Sequence, residues 1–236
     1  MKLSTLYAKT KRAVMEYGMI QPGDRIAVGL SGGKDSLALL FALLGLAKQP
    51  DMNFELDAVM VDMGFESFDP APLTDFCNSI GVPFTRVKTE LGKVIFEERK
   101  EQSPCSMCAK MRRGILNRTL KELNCGKLAL GHHRDDFINT WLLSLLREGR
   151  FHTMQPVSYM SDAGITLVRP LLYVTEDEIK QLTAEKKLPV VKQPCPVDGV
   201  TDRSKTAELI CEIKKSFPDC EERFFSALKG ADFFSK

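Results

Sequence analysis

Ile26-Ala27-Val28-Gly29-Leu30-Ser31-Gly32-Gly33-Lys34-Asp35-Ser36 reads as a short buried strand running straight into a turn of small residues. Small side chains at Ser31, Gly32 and Gly33 let backbone N–H groups approach anionic oxygens. The apolar run 37–46 behind them predicts a helix whose N-terminal dipole faces the same anion. Lys34 adds a full positive charge, and the stretch is therefore expected to cradle phosphate; the plainer reading is a strand-to-helix turn that binds nothing. The spacing is not that of a Walker A loop, which needs Gly, four residues, then Gly-Lys-Ser/Thr. Here Asp35 separates Lys34 from Ser36, and Gly29 lies one residue too near the lysine.

Outward from this turn, strand-like and helix-like segments alternate. An amphipathic helix is predicted over 6–17, with Pro22-Gly23-Asp24 turning the chain into the first strand. Further strands are predicted at 56–61, 83–87, 127–130, 165–169 and 188–191, and helices over 75–80, 110–123, 137–146, 175–186, 207–215 and 221–228. Thr175 with Asp177 and Glu178 has the form of a capped helix start. Such alternation implies an α/β fold, a doubly wound and mainly parallel sheet with helices on both faces. Ligands of such sheets bind beyond the carboxyl ends of the strands, which puts the 31–36 loop, the Asp62 turn and Gly131-His132-His133-Arg134-Asp135-Asp136 on one rim. A single domain over 1–236 is expected, with an N-terminal helix within 1–22 and a C-terminal helical segment over 207–236.

Composition narrows the function. The 37–47 run is about half of the roughly 20 residues a membrane span needs, so no membrane association and a cytoplasmic location are expected. Net charge is only +2, so any nucleic-acid contact must come from a local patch such as Lys110, Arg112, Arg113, Arg118 and Lys121, which otherwise form a solvated helix face. Seven cysteines, an odd number, argue against a disulfide framework and for thiol or metal chemistry. Cys105 and Cys108 form a Cys-x-x-Cys pair, and Cys195 stands between Pro194 and Pro196. That pair can be redox-active, half of a zinc site, two ligands of an iron–sulfur cluster, or simply packed. It does not follow the first strand, as a thioredoxin-like redox pair does. Zinc wants four ligands, and Asp198 stands where a second Cys-x-x-Cys would close. Three thiolates are easier to find than four, and three suffice for a cuboidal cluster with one iron left open.

Ser31 to Ser36 resembles the PP-loop of the ATP pyrophosphatases, which split ATP between its α and β phosphates. Taken with Pro104-Cys105-Ser106-Met107-Cys108, Arg112-Arg113-Gly114-Ile115-Leu116, 130–136 and Val168-Arg169-Pro170-Leu171, the chain resembles the tRNA 2-thiocytidine synthetase (TtcA-like) family over about 19–228. The resemblance implies ATP, Mg²⁺ and a [4Fe–4S] cluster as cofactors. It also implies adenylation of a cytidine carbonyl of tRNA followed by replacement of that oxygen by sulfur. Cys105, Cys108 and Cys195 match the cluster ligands; the family's second Cys-x-x-Cys is here Cys195-Pro196-Val197-Asp198, which leaves open whether Asp198 ligates. A sulfur donor, either a cysteine desulfurase or sulfide, and a homodimer complete the implied partners.

On that resemblance Ser31, Gly32, Gly33, Lys34 and Ser36 hold the departing phosphates, and Asp35 orients the loop or Mg²⁺. Asp62 lines the rim or merely forms a turn, and the backbone of Val61 to Met63 reads adenine. Gly131 lets the nucleotide approach, with His132 beside it. Asp135 is a base or metal-orienting carboxylate, or a helix N-terminal charge. Arg113, with Arg112, stabilises developing charge or contacts RNA phosphates. Two competing functions stand beside this one. The first is another PP-loop enzyme, a uridine thiolase or an ATP-dependent ligase using ammonia or an amine. The second is a non-catalytic RNA-binding protein that holds ATP.

Overall fold

Ile26, Ala27 and Val28 are fully buried in β1 (Arg25–Gly29), apolar on both faces because the strand is paired on both edges and covered by helices on both sides. The computed structural model describes residues 3–99, 104–197, 202–231 and 234. The other strands are β2 (Glu55–Asp62), β3 (Phe84–Lys88), β4 (Lys127–Ala129), β5 (Val157–Met160) and β6 (Ile165–Val168). The helices are α1 (Leu3–Glu16), α2 (Lys34–Ala47), α3 (Ala71–Ile80), α4 (Leu91–Lys93, continued by a π-turn over Val94–Glu98) and α5 (Pro104–Glu122). They continue with α6 (Arg134–Glu148), α7 (Glu176–Glu185), α8 (Asp202–Ser216) and α9 (Cys220–Gly230). None is long and apolar enough to cross a membrane.

The six strands run in the order β3-β2-β1-β4-β6-β5, parallel throughout except for the β5–β6 pair. Successive strands are laid down outward from β1 through β2 to β3, and the chain then crosses to β4 on the other side of β1. The order therefore reverses between β1 and β4, and the loops leaving those two strands splay apart to open a crevice. Those loops are 30–33 and 130–133, the two densest polar motifs of the sequence. Helix α2 fixes the first of them rigidly. Leu37, Leu39, Leu40, Leu43 and Leu46 are fully buried, each worth about 1.5–3 kcal/mol of burial.

Several elements differ from their sequence-based expectation. Residues 188–191 form no strand: Pro189 lacks a donor, and the segment makes one backbone bond across to the loop after β1, from Val191 N–H to Gly32 O at 2.9 Å. Helix α5 already includes Pro104, ahead of the predicted Lys110, so the Cys-x-x-Cys lies within the helix. Helix α8 likewise includes residues from Asp202 on, ahead of the predicted 207. Strand β5 carries no apolar alternation and leaves Tyr159 exposed. It pairs because the turn after it, with Gly164 N–H bonded to Met160 O at 2.8 Å, folds it back on β6.

Candidate active site

The loop after β1 is tied by its own serines. Ser36 Oγ donates to Gly33 O at 2.9 Å and accepts from Ser31 N–H at 3.2 Å, while Ser31 Oγ accepts from Gly33 N–H at 3.3 Å. Gly32 adopts φ +86°, and a Cβ there would stand 2.3 Å from Val191 O. The chain thus needs glycine at this position both for its left-handed backbone and for the close passage of the 191–195 segment, which straps the loop. At Gly131 a Cβ would meet the Asp35 carbonyl at 2.9 Å and Ser36 N at 3.0 Å, so the close approach this glycine permits is to the first turn of α2.

Lys34 and Asp35 join the second loop in a polar ring. Lys34 Nζ lies 3.0 Å from Asp35 Oδ1 and 3.2 Å from Glu176 Oε1 at the start of α7. Glu176 N–H donates to Asp135 Oδ2 at 3.0 Å, and Asp135 Oδ2 stands 3.3 Å from His133 Nδ1, whose Nε2 is 3.7 Å from Asp35. Burial pulls the Lys34 pKa down, but Asp35 and Glu176 outweigh it and the net shift is upward. Burial likewise opposes charge on His133, yet Asp135, Asp136 and Asp35 raise its pKa overall. Desolvation pushes the Asp135 carboxyl up, and His133, the Glu176 N–H and Arg134 bring it below the usual carboxylate range. A buried imidazole flanked by three carboxylates is thus held toward its charged form. It positions Asp35 and Asp135, the carboxylates that fit a hard cation riding on phosphate.

Beyond the loop, one cavity of about 400 Å³ collects the other half of the sequence signal. Ser31 and Gly33 line it on the phosphate side, Met63, Phe65 and Phe96 form apolar walls, Cys105, Cys108 and Arg112 enter from α5, and Lys192, Gln193 and Cys195 come from the strap. Met63 joins the halves: its N–H is bonded by Gln193, and its sulfur lies 4.0 Å from Cys108 Sγ. Burial pushes the Cys108 thiol up, Arg112 offsets part of this, and the sulfurs of Cys195 and Cys105 add to the rise.

None of the three cysteines is in a disulfide, and they line one cavity whose thiol donors suit soft metals. Cys105 and Cys108, three apart on α5, present to one face. Among the described residues, however, no three Cys, His, Asp or Glu side chains are drawn close enough to hold a metal as they stand. The donor set fits an iron–sulfur cluster in chemistry and location, with Cys195 carried on a separate segment from the other two. Asp198 lies outside the described residues.

Other expected site residues fall elsewhere. The Asp62 carboxylate does not line this cavity; it is buried, accepting from Gly64 N–H at 2.9 Å and Arg86 Nε at 2.7 Å in the turn after β2. Arg113 is exposed while its neighbour Arg112 lines the cavity. Arg113 is felt by Arg169, whose pKa falls to about 10 through burial first and this like charge second. His132 is half-buried, and it is His133 that engages the carboxylates. Sequence reasoning missed Glu176, legible only as a helix-start charge, and Gln193, for which a loop glutamine gives no signal.

Residues 3–204 match the family model described as a PP-loop domain. The tRNA-cytidine(32) 2-sulfurtransferase of Pelobacter propionicus is 39% identical over 93% of this chain and 82% of its own length, and that of Geobacter sulfurreducens is 39% identical over 92% and 86%. Among solved structures, the U34-tRNA thiolase NcsA from Methanococcus maripaludis with its [4Fe-4S] cluster superposes with a TM-score of 0.77 at 26% identity, covering 97% of this chain and 79% of that one. With its PP-loop at the switch point of the sheet and these two relatives matched over more than four-fifths of their length, this chain belongs to the tRNA-cytidine(32) 2-sulfurtransferase family of PP-loop proteins.

Proposed function

We propose that this protein is an ATP-dependent, AMP-forming tRNA sulfurtransferase that converts a cytidine C2 carbonyl to a thiocarbonyl. The observation that carries this reading is the single cavity bounded by Ser31 and Gly33 at one end and by Cys105, Cys108 and Cys195 at the other. An oxygen must become a leaving group before sulfur can replace it. The base oxygen attacks the α-phosphorus of ATP, pyrophosphate departs, and AMP then leaves with that oxygen when sulfur adds at C2.

In this reading the small residues 31–33, Lys34 and Ser36 hold the pyrophosphate oxygens, with the α2 dipole behind them. Asp35 and Asp135, set by His133, orient the Mg²⁺ that accompanies ATP. Val61 and Met63 read adenine by their backbone, and Met63, Phe65 and Phe96 exclude water from the activated base. Cys105, Cys108 and Cys195 would hold a [4Fe–4S] cluster, which would supply the sulfur nucleophile when bound. Arg112 stands beside that centre. The mutually repelling Arg113 and Arg169, with no carboxylate among the described residues paired to Arg169, suit RNA phosphate. A cysteine desulfurase or free sulfide replenishes sulfur, in the cytoplasm where tRNA matures.

Relatives named for cytidine at 39% identity favour that base over uridine, named for the neighbour at 26%. Incubation with ATP, Mg²⁺, sulfide and bulk tRNA, followed by digestion to nucleosides, tests the reading. 2-Thiocytidine is expected. Thiouridine would move the chain to the uridine thiolases, and absence of AMP would leave only a binding protein.

A further inference from the structure

Where β1 ends, its neighbour β2 continues. The last β1-side bond of the ladder runs from Leu30 N–H to Val59 O at 2.8 Å. The next pair of groups on that edge, Val61 C=O and Met63 N–H, has no strand to meet it. Gln193 fills both: its Nε2 donates to Val61 O at 3.1 Å, and its Oε1 accepts from Met63 N–H at 2.8 Å. The side chain thus completes the ladder in place of a strand.

A carboxamide offers an amine donor beside an oxygen acceptor. Adenine offers an exocyclic amine beside a ring-nitrogen acceptor, the pattern that makes Gln and adenine mutual bidentate partners in recognition. A strand edge presenting C=O and N–H accepts either, but only one at a time. We propose that Gln193 is a built-in competitor for the base of ATP: its carboxamide occupies the adenine-reading edge of β2, and the nucleotide binds by displacing it. This rests on the reading of the site as an ATP site.

Two features make the displacement consequential. Gln193 belongs to the strap whose Val191 N–H is bonded to Gly32 O, so one segment covers both the phosphate loop and the base edge. Cys195 follows two residues later and lines the same cavity as Cys105 and Cys108, with the three thiols not drawn into a closed set. Releasing Gln193 frees the stretch that carries Cys195. ATP arrival and completion of the thiol set are thereby coupled. A base with the opposite pattern, an acceptor oxygen beside a ring N–H as in guanine, gains nothing at this edge and does not displace the carboxamide.

The test compares wild-type chain with Gln193→Ala and the size-conserving Gln193→Glu, which cannot donate to Val61 O. Binding of ATP and of inorganic tripolyphosphate is followed by calorimetry. Self-occupation reduces apparent affinity by the fraction of open molecules. Gln193→Ala is therefore expected to bind ATP about 10-fold more tightly, or about 1.4 kcal/mol, with Gln193→Glu changed in the same direction. Tripolyphosphate, which uses only the loop, is expected to bind all three alike. Unchanged or weaker ATP binding in Gln193→Ala would overturn competition at the edge, and so would equal tightening of ATP and tripolyphosphate, which marks the strap as a general cover. If ATP bound none of the three chains, the ATP reading itself would fall, and the competition with it.

Discussion

Gly32 and Gly33 are adjacent and compositionally identical, yet the structure assigns them separable roles that two alanine substitutions resolve. At Gly32 the backbone is left-handed, which costs an L-residue about 1–2 kcal/mol, and the new Cβ would meet Val191 O at 2.3 Å. Relief of that overlap by moving backbone adds about 1–3 kcal/mol, reduced where the strap simply lifts away. Gly32→Ala is thus expected to cost about 2–4 kcal/mol, a fall in Tm of roughly 4–16 °C for a domain of this size. At Gly33 φ is −73°, and a Cβ finds only Ser31 Oγ at 3.5 Å, an ordinary contact. Gly33→Ala is expected to stay within about 1 kcal/mol of wild type while losing ATP affinity, because the added methyl stands in the phosphate cradle. Thermal unfolding of the ligand-free chains and ATP calorimetry read both quantities. Equal stability of the two variants would refute the contact between strap and loop. Undiminished ATP binding by Gly33→Ala would refute the cradle.

Removing the Lys34 charge should lower AMP formation about 10²–10³-fold with iron content unchanged; persistence of turnover would show the lysine is not a phosphate ligand. Cys105→Ser, Cys108→Ser and Cys195→Ser should each lose iron after anaerobic reconstitution, whereas Cys211→Ser, exposed and outside the cavity, should keep it. His133 has a folded pKa above its unfolded value of about 6.5. Its contribution to stability is then fully present below that unfolded value and lost as pH rises through the folded pKa. Metal-free wild type should therefore lose stability over this window relative to His133→Gln, and parallel curves would contradict the charged ring.

The fold was legible because its signals are local: β1 and α2 are apolar on all sides, and Thr175 with Glu178 forms the cap expected, with bonds of 3.2 and 2.9 Å. The thiol set was legible as residue types and not as a closed geometry, since Cys195 rides on a segment whose position depends on Gly32 and Gln193. Strand β5 escaped notice because tertiary pairing with β6, not side-chain alternation, forms it. The predicted strand at 188–191 was apolar for another reason: it packs over the phosphate loop. Asp62 was placed on the correct strand end, but sequence could not show that Arg86, 24 residues on, takes its carboxylate away from the cavity. Glu176 and Gln193 act through neighbours that only the folded chain supplies.

The central claim is that a phosphate-gripping loop and three thiols serve one reaction centre. An anaerobic crystal structure of the reconstituted chain with a non-hydrolysable ATP analogue, with iron located by anomalous scattering, tests it directly. The account expects iron density bounded by the sulfurs of Cys105, Cys108 and Cys195, with the α-phosphate facing it across the cavity. Iron or zinc held elsewhere, or a nucleotide whose phosphates lie away from Ser31 and Gly33, would contradict it.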